Sequence, residues 1–493
     1  MSVPETLDDL PRRLARWAVN RSLAPASVSG ISLALAVCAA GWFSAGTRPD
    51  NVNGSLALCA SYLAACAARW LAGPAPDAPA RSAGAAAGRL AEWCGAVSEY
   101  AVYAGLAVGG YEEHWKDTWQ LAVAVMIVLS VRRTVVACSR PATGASGSPN
   151  PAGHAIRVFL SCPPGGRIAL ITLVAPIWGA RATLMFLLEW GIIATGYALT
   201  AHGPYRVILA GSPEQVGAAP PARLADSPVT VEADEMPAEL AALASGTDET
   251  EQAPAELAAP ITEAGQDEAA LPEADSAESP AALDLFVYAE PAPPAKAAPE
   301  AAADPRALAV MAACRDDGTA AVWLGRVVRG ELVPLPPAVA GLAATSLLAW
   351  LGMRNLPGIL LLTPVVVMLL AAFGSRHPHD GRLDWLTPAV LLAGQLVYFA
   401  AVGFSFRVPP PVTFTLCGLV ALHYVELAGR GWPDAGQAPD TRLGWEGRIF
   451  IVGLGAMIGI AMIAYLALSA YLVVLVCVKI LTSRPAAPEG AWP

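Results

Sequence analysis

The chain has 493 residues, of which 55% are hydrophobic and 15% charged. Soluble globular chains carry about 25% charged residues, so this composition excludes a water-soluble fold for most of the length. The net charge of −10 is held unevenly: Gly211 to Pro305 contains 20 Asp and Glu against Arg223 and Lys296, which leaves the remainder basic by about 8 charges.

The basic remainder fits membrane flanks beside anionic lipid. Its arginines are spread along the edges of apolar runs rather than interleaved with aromatics on one face, which argues against nucleic-acid binding. The nine cysteines form no C-x-x-C pair and read as free thiols in a reducing compartment. Arg12, Arg13, Arg16 and Arg21 precede a first apolar run of membrane-span length, so no cleavable signal peptide is expected.

In chain order, residues 1–26 place Leu10, Leu14, Trp17 and Ala18 on one helical face and Arg12, Arg13 and Arg16 on the other, which predicts a helix lying on the membrane surface. Six apolar runs follow: Val28–Ala45, Ser55–Ala72, Val97–Gly110, Trp119–Val136, Ile168–Gly179 and Thr183–Leu199. The fifth and sixth are expected to form a helical hairpin turning near Arg181. Arginines concentrate before the first run, after the second and between the fourth and fifth, which predicts cytoplasmic placement of both ends of this group. Glu189, inside the sixth run, is a costly carboxylate for which Arg181 is a candidate partner.

Residues 207–305 are rich in Ala, Pro, Glu and Asp and hold too little apolar surface to offset ordering entropy; they predict a disordered linker. Leu283 to Tyr288 is an apolar island within it. Further apolar runs cover Leu335–Leu351, Pro357–Phe373, Leu386–Phe404 and Pro411–Leu427. The last, Ile449–Cys477, fits one tilted helix or two short ones, and Gly455 with Gly459 makes a G-x-x-x-G spacing. His377, His379, Asp380 and Asp384 in the loop before Trp385 form a second candidate polar site, to which His423, Glu426, Glu446 and Arg448 are potential contributors.

The start of the first run, Leu23-Ala24-Pro25-Ala26-Ser27-Val28-Ser29, resembles the L-T-P-N-x-V-T segment of the CDP-alcohol phosphatidyltransferases. The resemblance covers roughly residues 10–206. That family carries D-x2-D-G-x2-A-R-x8-G-x3-D-x3-D across its second and third spans. Here Asp77 with Ala80-Arg81 echoes D-G-x2-A-R but is shorter by a residue and lacks the glycine. Gly88 and Glu92 match G-x3-D with Glu for Asp, the last Asp position falls on Ala96, and Glu99 lies two turns beyond Glu92. The resemblance implies head-group transfer from a CDP-alcohol, CDP-diacylglycerol included, with release of CMP. It assigns Glu92 and Glu99 as catalytic groups, Arg81 and Arg89 to the substrate, and Asp77 with Glu92 to magnesium or manganese. The missing carboxylates imply reduced, altered or absent activity. The opposing reading is a non-catalytic lipid-binding scaffold that tethers partners through the acidic linker. Through the segments His377 to Trp385 and Gly444-Trp445-Glu446-Gly447-Arg448, residues 306–484 resemble an uncharacterised membrane domain that follows such transferase-like domains in bacterial proteins.

The sequence thus predicts an all-α polytopic integral membrane protein with two transmembrane helix bundles joined by a disordered linker. Its expected divisions are 1–206, 207–305, 306–484 and a tail at 485–493. Expected partners are membrane lipids and a second copy of the chain, and the expected site is a bacterial inner membrane with the N-terminus and linker cytoplasmic.

Overall fold

In a computed structural model the chain is described over residues 6–72, 81–139, 159–202, 311–328, 332–353, 358–375, 377, 383–429 and 443–482. Among these residues the regular structure is helical and no strand occurs. The acidic segment with its Leu283–Tyr288 island, and Asp77, lie outside the described residues.

The first group comprises α1 (Thr6–Asn20), α2 (Pro25–Ser44), α3 (Arg48–Leu71), α4 (Arg81–Glu112), α5 (Thr118–Cys138) and α6 (Pro164–His202). Proline at the first helical position starts α2, where its missing N–H and fixed φ do no harm. Thr47 caps α3, its hydroxyl accepting the Asp50 N–H at 3.3 Å. α1 sets Ala15 and Ala18 against Ala67 and Ala68 of α3 and leaves Trp17 exposed. α4 lies hard against α2 because Gly105 and Gly109 present no side chain there. A Cβ at either position would collide with the backbone carbonyls of Ala40 or Phe43.

α6 is 39 residues long, about twice what a bilayer core requires at about 1.5 Å per residue. It breaks at Gly179 (φ 81°, ψ 179°), a backbone region open essentially to glycine alone. Trp190 then returns to the start of the helix, donating to the Phe159 carbonyl at 3.1 Å and stacking on the Phe159 ring at 5.1 Å. The expected hairpin is present, with its turn at Gly179. Arg181, in the first turn of the returning arm, pairs with Asp117 at 2.9 Å and covers the Trp115 ring at 4.5 Å. It does not pair with Glu189, which is exposed on the outer face of the second arm.

The second group comprises α7 (Thr319–Val328), α8 (Leu335–Leu351), α9 (Thr363–Ala372), α10 (Thr387–Ser405), α11 (Pro410–Gly429), α12 (Trp445–Met457) and α13 (Ala461–Thr482). A 3-10 turn over Gly358–Leu362 leads into α9. The long apolar run after residue 449 resolves into two helices, because Gly459 adopts φ 83°. The Leu443 N–H donates to the Tyr471 hydroxyl at 3.1 Å, so α13 folds back along α12. Gly459 therefore serves the turn, and Gly455 alone of the G-x-x-x-G pair makes a close contact, against Ala464.

α5 ties the two groups into one core. It packs on α4 and α6 from its own group and on α10 and α11 from the other. Trp119 meets Phe414 edge to face at 5.7 Å, and one continuous apolar cluster runs from Ala39 to Leu472. Large apolar side chains also cover the outside, among them Leu173, Trp178, Trp350 and Val474. Water would penalise such an exterior and lipid does not. Seven of the described helices are long and apolar enough to cross a membrane. This is a multi-pass helical membrane protein.

Candidate functional site

Glu92 and Glu99 lie seven residues apart on α4 and so share a helix face. α5 ends its apolar stretch at Arg132 and Arg133, α6 carries Arg167 in its first turn, and α3 carries Arg69 in its last. These helices surround one cleft of about 650 Å³ that all six side chains line. Its remaining walls are largely apolar, including Leu58, Val102, Leu129, Ile168 and Ile171, with hydroxyls from Tyr62, Tyr103 and several serines.

Glu99 is the anchor of the cleft. Arg167 approaches it with Nε at 2.7 Å and Nη2 at 3.0 Å, and Arg133 Nη2 at 3.3 Å. The Tyr103 hydroxyl donates to Oε1, the oxygen that Arg167 Nε also approaches. Arg167 is 5% exposed and is aimed by a second bond, from Nη1 to the Cys162 carbonyl at 3.0 Å. Cys162 turns the chain sharply with φ 43° just ahead of Pro163 and Pro164. Arg132 is held by the Ser161 carbonyl of the same corner. Arg132 Nε and Arg133 Nη1 are buried with no protein partner among the described residues. Four guanidiniums thus line one open cleft with two carboxylates, and donors are left over. Such an excess of fork-shaped cationic donors suits the oxygens of a phosphate group.

A divalent metal fits this donor set poorly. Glu99 is taken by two guanidiniums and a phenol, and Glu92 is a lone exposed carboxylate. Among the described residues no three Asp, Glu, His or Cys side chains converge on one point. Asp77 lies outside those residues, as does the side chain of Arg81. Arg89 is exposed on α4 and borders a gap of about 40 Å³ between α4 and α11, together with Glu92, Trp93, Val425 and Glu426.

A second charged cluster joins the ends of the other group. Asp316, with φ 52°, pairs with Arg448 and with His423 Nε2, the latter at 3.0 Å. Arg315 Nε reaches Asp317 at 2.9 Å, and the Trp445 indole N–H donates to the same carboxylate at 3.0 Å. Glu446 accepts the Gly318 and Ala321 N–H groups at 3.2 Å each, closing the start of α7. Arg315 also donates to the Gly374 carbonyl at 2.8 Å. Burial pushes the Asp316 carboxyl up, but Arg448 and His423 outweigh it and hold the group well below the usual carboxylate range. Burial wins at Asp317, which is raised despite Arg315.

His423, Glu446 and Arg448 therefore meet, with Glu426 Oε2 3.9 Å from His423 Nδ1. What brings them together is Arg315-Asp316-Asp317-Gly318, a run that reads in sequence as an ordinary charged junction. His377 lies 3.8 Å from Asp384, while His379 and Asp380 are outside the described residues. Arg132, Arg133 and Arg167 read as topology markers in the sequence and prove to line the cleft.

Residues 305–485 match a family described as a family of unknown function (DUF5941). That match covers the second group of helices and agrees with an uncharacterised domain there; no family match supports the transferase resemblance of the first group. No curated protein and no solved structure matches the chain.

Proposed function

We propose that the first helical group binds the phosphate-bearing headgroup of a membrane lipid in the cleft between α3, α4, α5 and α6. The carrying observation is the convergence of Arg69, Arg132, Arg133 and Arg167 on one space whose other walls are largely apolar. Guanidiniums recognise phosphate oxygens, and the apolar walls suit the glycerol and acyl portion. The reading favours a lipid-binding unit whose core is shared with the second helical group. The arginine-rich ends then face the cytoplasm of a bacterial inner membrane, with the N-terminus and the 207–305 segment on that side.

Head-group transfer from CDP-diacylglycerol or another CDP-alcohol is the second reading, favoured by Glu92 and Glu99 opening on the same cleft. Magnesium or manganese belongs to that reading alone, with Asp77 and Glu92 as its ligands.

Two measurements separate the readings. The purified full-length chain, titrated with short-chain phosphatidic acid and with short-chain diacylglycerol, should prefer the phosphate-bearing lipid. Equal affinity for the two would sink the headgroup reading. CMP release from CDP-diacylglycerol with magnesium, abolished in Glu92→Ala, would establish transfer instead.

A further inference from the structure

Glu99 is placed where an incoming phosphate would have to bind. Its carboxylate bridges Arg133 and Arg167 from inside the cleft, with Arg167 Nε at 2.7 Å and Arg133 Nη2 at 3.3 Å. Neither guanidinium has another carboxylate among its described ion pairs. The side chain keeps 15% of its surface exposed toward the cleft. It is also held by one neutral donor one helical turn away, the Tyr103 hydroxyl, on the oxygen that Arg167 Nε approaches. Two buried donors of the same arginine group, Arg132 Nε and Arg133 Nη1, are without protein partners among the described residues. The arrangement is therefore half filled, with one anion of the protein's own and donors waiting for more.

We infer that Glu99 is a built-in counter-ion that competes with the ligand's phosphate for Arg133 and Arg167, and so sets both the affinity of the cleft and its preference for ligand charge. The inference rests on the headgroup reading above. When a phosphate enters, its oxygens take donors that Glu99 now holds. A carboxylate displaced this way remains near the ligand and repels it, more strongly for a dianion than for a monoanion. Without ligand, Glu99 keeps the buried Arg167 and the partly exposed Arg133 from facing each other unpaired, which explains why an anion-binding cleft would carry it.

A merely structural brace would behave in the opposite way. Neutralising it would let Arg133 and Arg167 splay apart and would weaken every ligand alike. The test uses the full-length chain in detergent and three short-chain probes: phosphatidic acid, phosphatidylglycerol and uncharged diacylglycerol. In Glu99→Gln, phosphatidic acid should bind about tenfold tighter, phosphatidylglycerol should gain less, and diacylglycerol should not change. Tyr103→Phe keeps the charge and loosens that hold. It should tighten phosphatidic acid by about two- to threefold, and it carries the test if Glu99→Gln does not fold.

Unchanged or weaker phosphatidic acid binding in the variant that folds, with wild type still preferring phosphate, overturns the counter-ion role and leaves the headgroup reading standing. A uniform gain across all three probes also overturns it, since charge would then not be the cause. No phosphate preference in wild type or variant overturns both.

Discussion

Two clusters of arginine and carboxylate occur in this protein, and they are built to different ends. Around Asp316, Arg315, Arg448 and His423 face Asp316 and Asp317, Glu446 closes the start of α7, and the side chains of Arg315 and Arg448 are 1% and 0% exposed. In the α3–α6 cleft, four arginines face two glutamates across about 650 Å³ of space. Opposite charges packed together in a closed volume hold a fold together. Charges of one sign in surplus around an open volume hold something else. Composition alone does not separate the two cases, because both are arginine with acid at the ends of apolar helices.

The closed cluster should break most severely. Asp316→Ala removes the partner of Arg448 and of His423 and leaves Arg448 buried without its carboxylate. Breaking a buried pair from one side costs about 3–5 kcal/mol, a large part of the stability of an ordinary domain. The expected result is loss of monodisperse protein in detergent, read by size-exclusion chromatography and a thermal unfolding scan. A variant with wild-type Tm would show that the cluster is not structural and would remove the contrast with the cleft.

The cleft should break in function while the fold persists. Arg132→Gln combined with Arg69→Gln removes two guanidiniums and leaves the Glu99–Arg133–Arg167 group intact. At about 1.5–3 kcal/mol for a hydrogen bond to a charged group, partly offset by the remaining arginines, phosphatidic acid affinity should fall about 10- to 100-fold. Tm should move little. A large fall in Tm with unchanged affinity would place this cluster with the other.

Much of the fold was legible because a bilayer crossing needs a long apolar run, and such runs survive without knowledge of their neighbours. Leu335–Leu351 is recovered to the residue as α8, and the runs over α2, α5, α10 and α11 agree within a few residues of their ends. The breaks were harder. The long run after residue 449 contains no proline or polar turn, and one left-handed glycine, Gly459, reverses it. The close crossing of α2 and α4 through Gly105 and Gly109 went unread, since G-x-x-x-G is common and says nothing of its partner. The cleft was legible only along α4, where Glu92 and Glu99 share a face. Arg69, Arg132 and Arg167 lie on three other helices, and each alone looks like a charge that orients a span. Arg315-Asp316-Asp317 was illegible for the same reason: its partners His423 and Arg448 lie more than a hundred residues away.

The contact between the two helical groups offers a broader test. α5 is packed on both sides, so association rests on Trp119, Phe414 and their neighbours as well as on the chain between. Co-expressed 1–213 and 301–493 should therefore co-purify without residues 214–300. Separation of the two pieces in mild detergent would mean that the connecting segment supplies the association.

The mildest change proposed is at the turn of α6. Gly179→Ala must place a Cβ at φ 81°, where it would lie 3.3 Å from Glu113 Oε2. Strain of this kind costs about 1–3 kcal/mol, less than breaking the Asp316 cluster. The expected outcome is a lowered Tm with phosphatidic acid binding retained, because the turn is at the far end of the hairpin from Arg167. The first arm brings Arg167 to the cleft, and the returning arm braces that end through Trp190 and Phe159. If the substitution instead abolishes binding at unchanged Tm, the hairpin is part of the ligand-responsive machinery, and the division between a holding cluster and a binding cleft would have to extend across the length of α6.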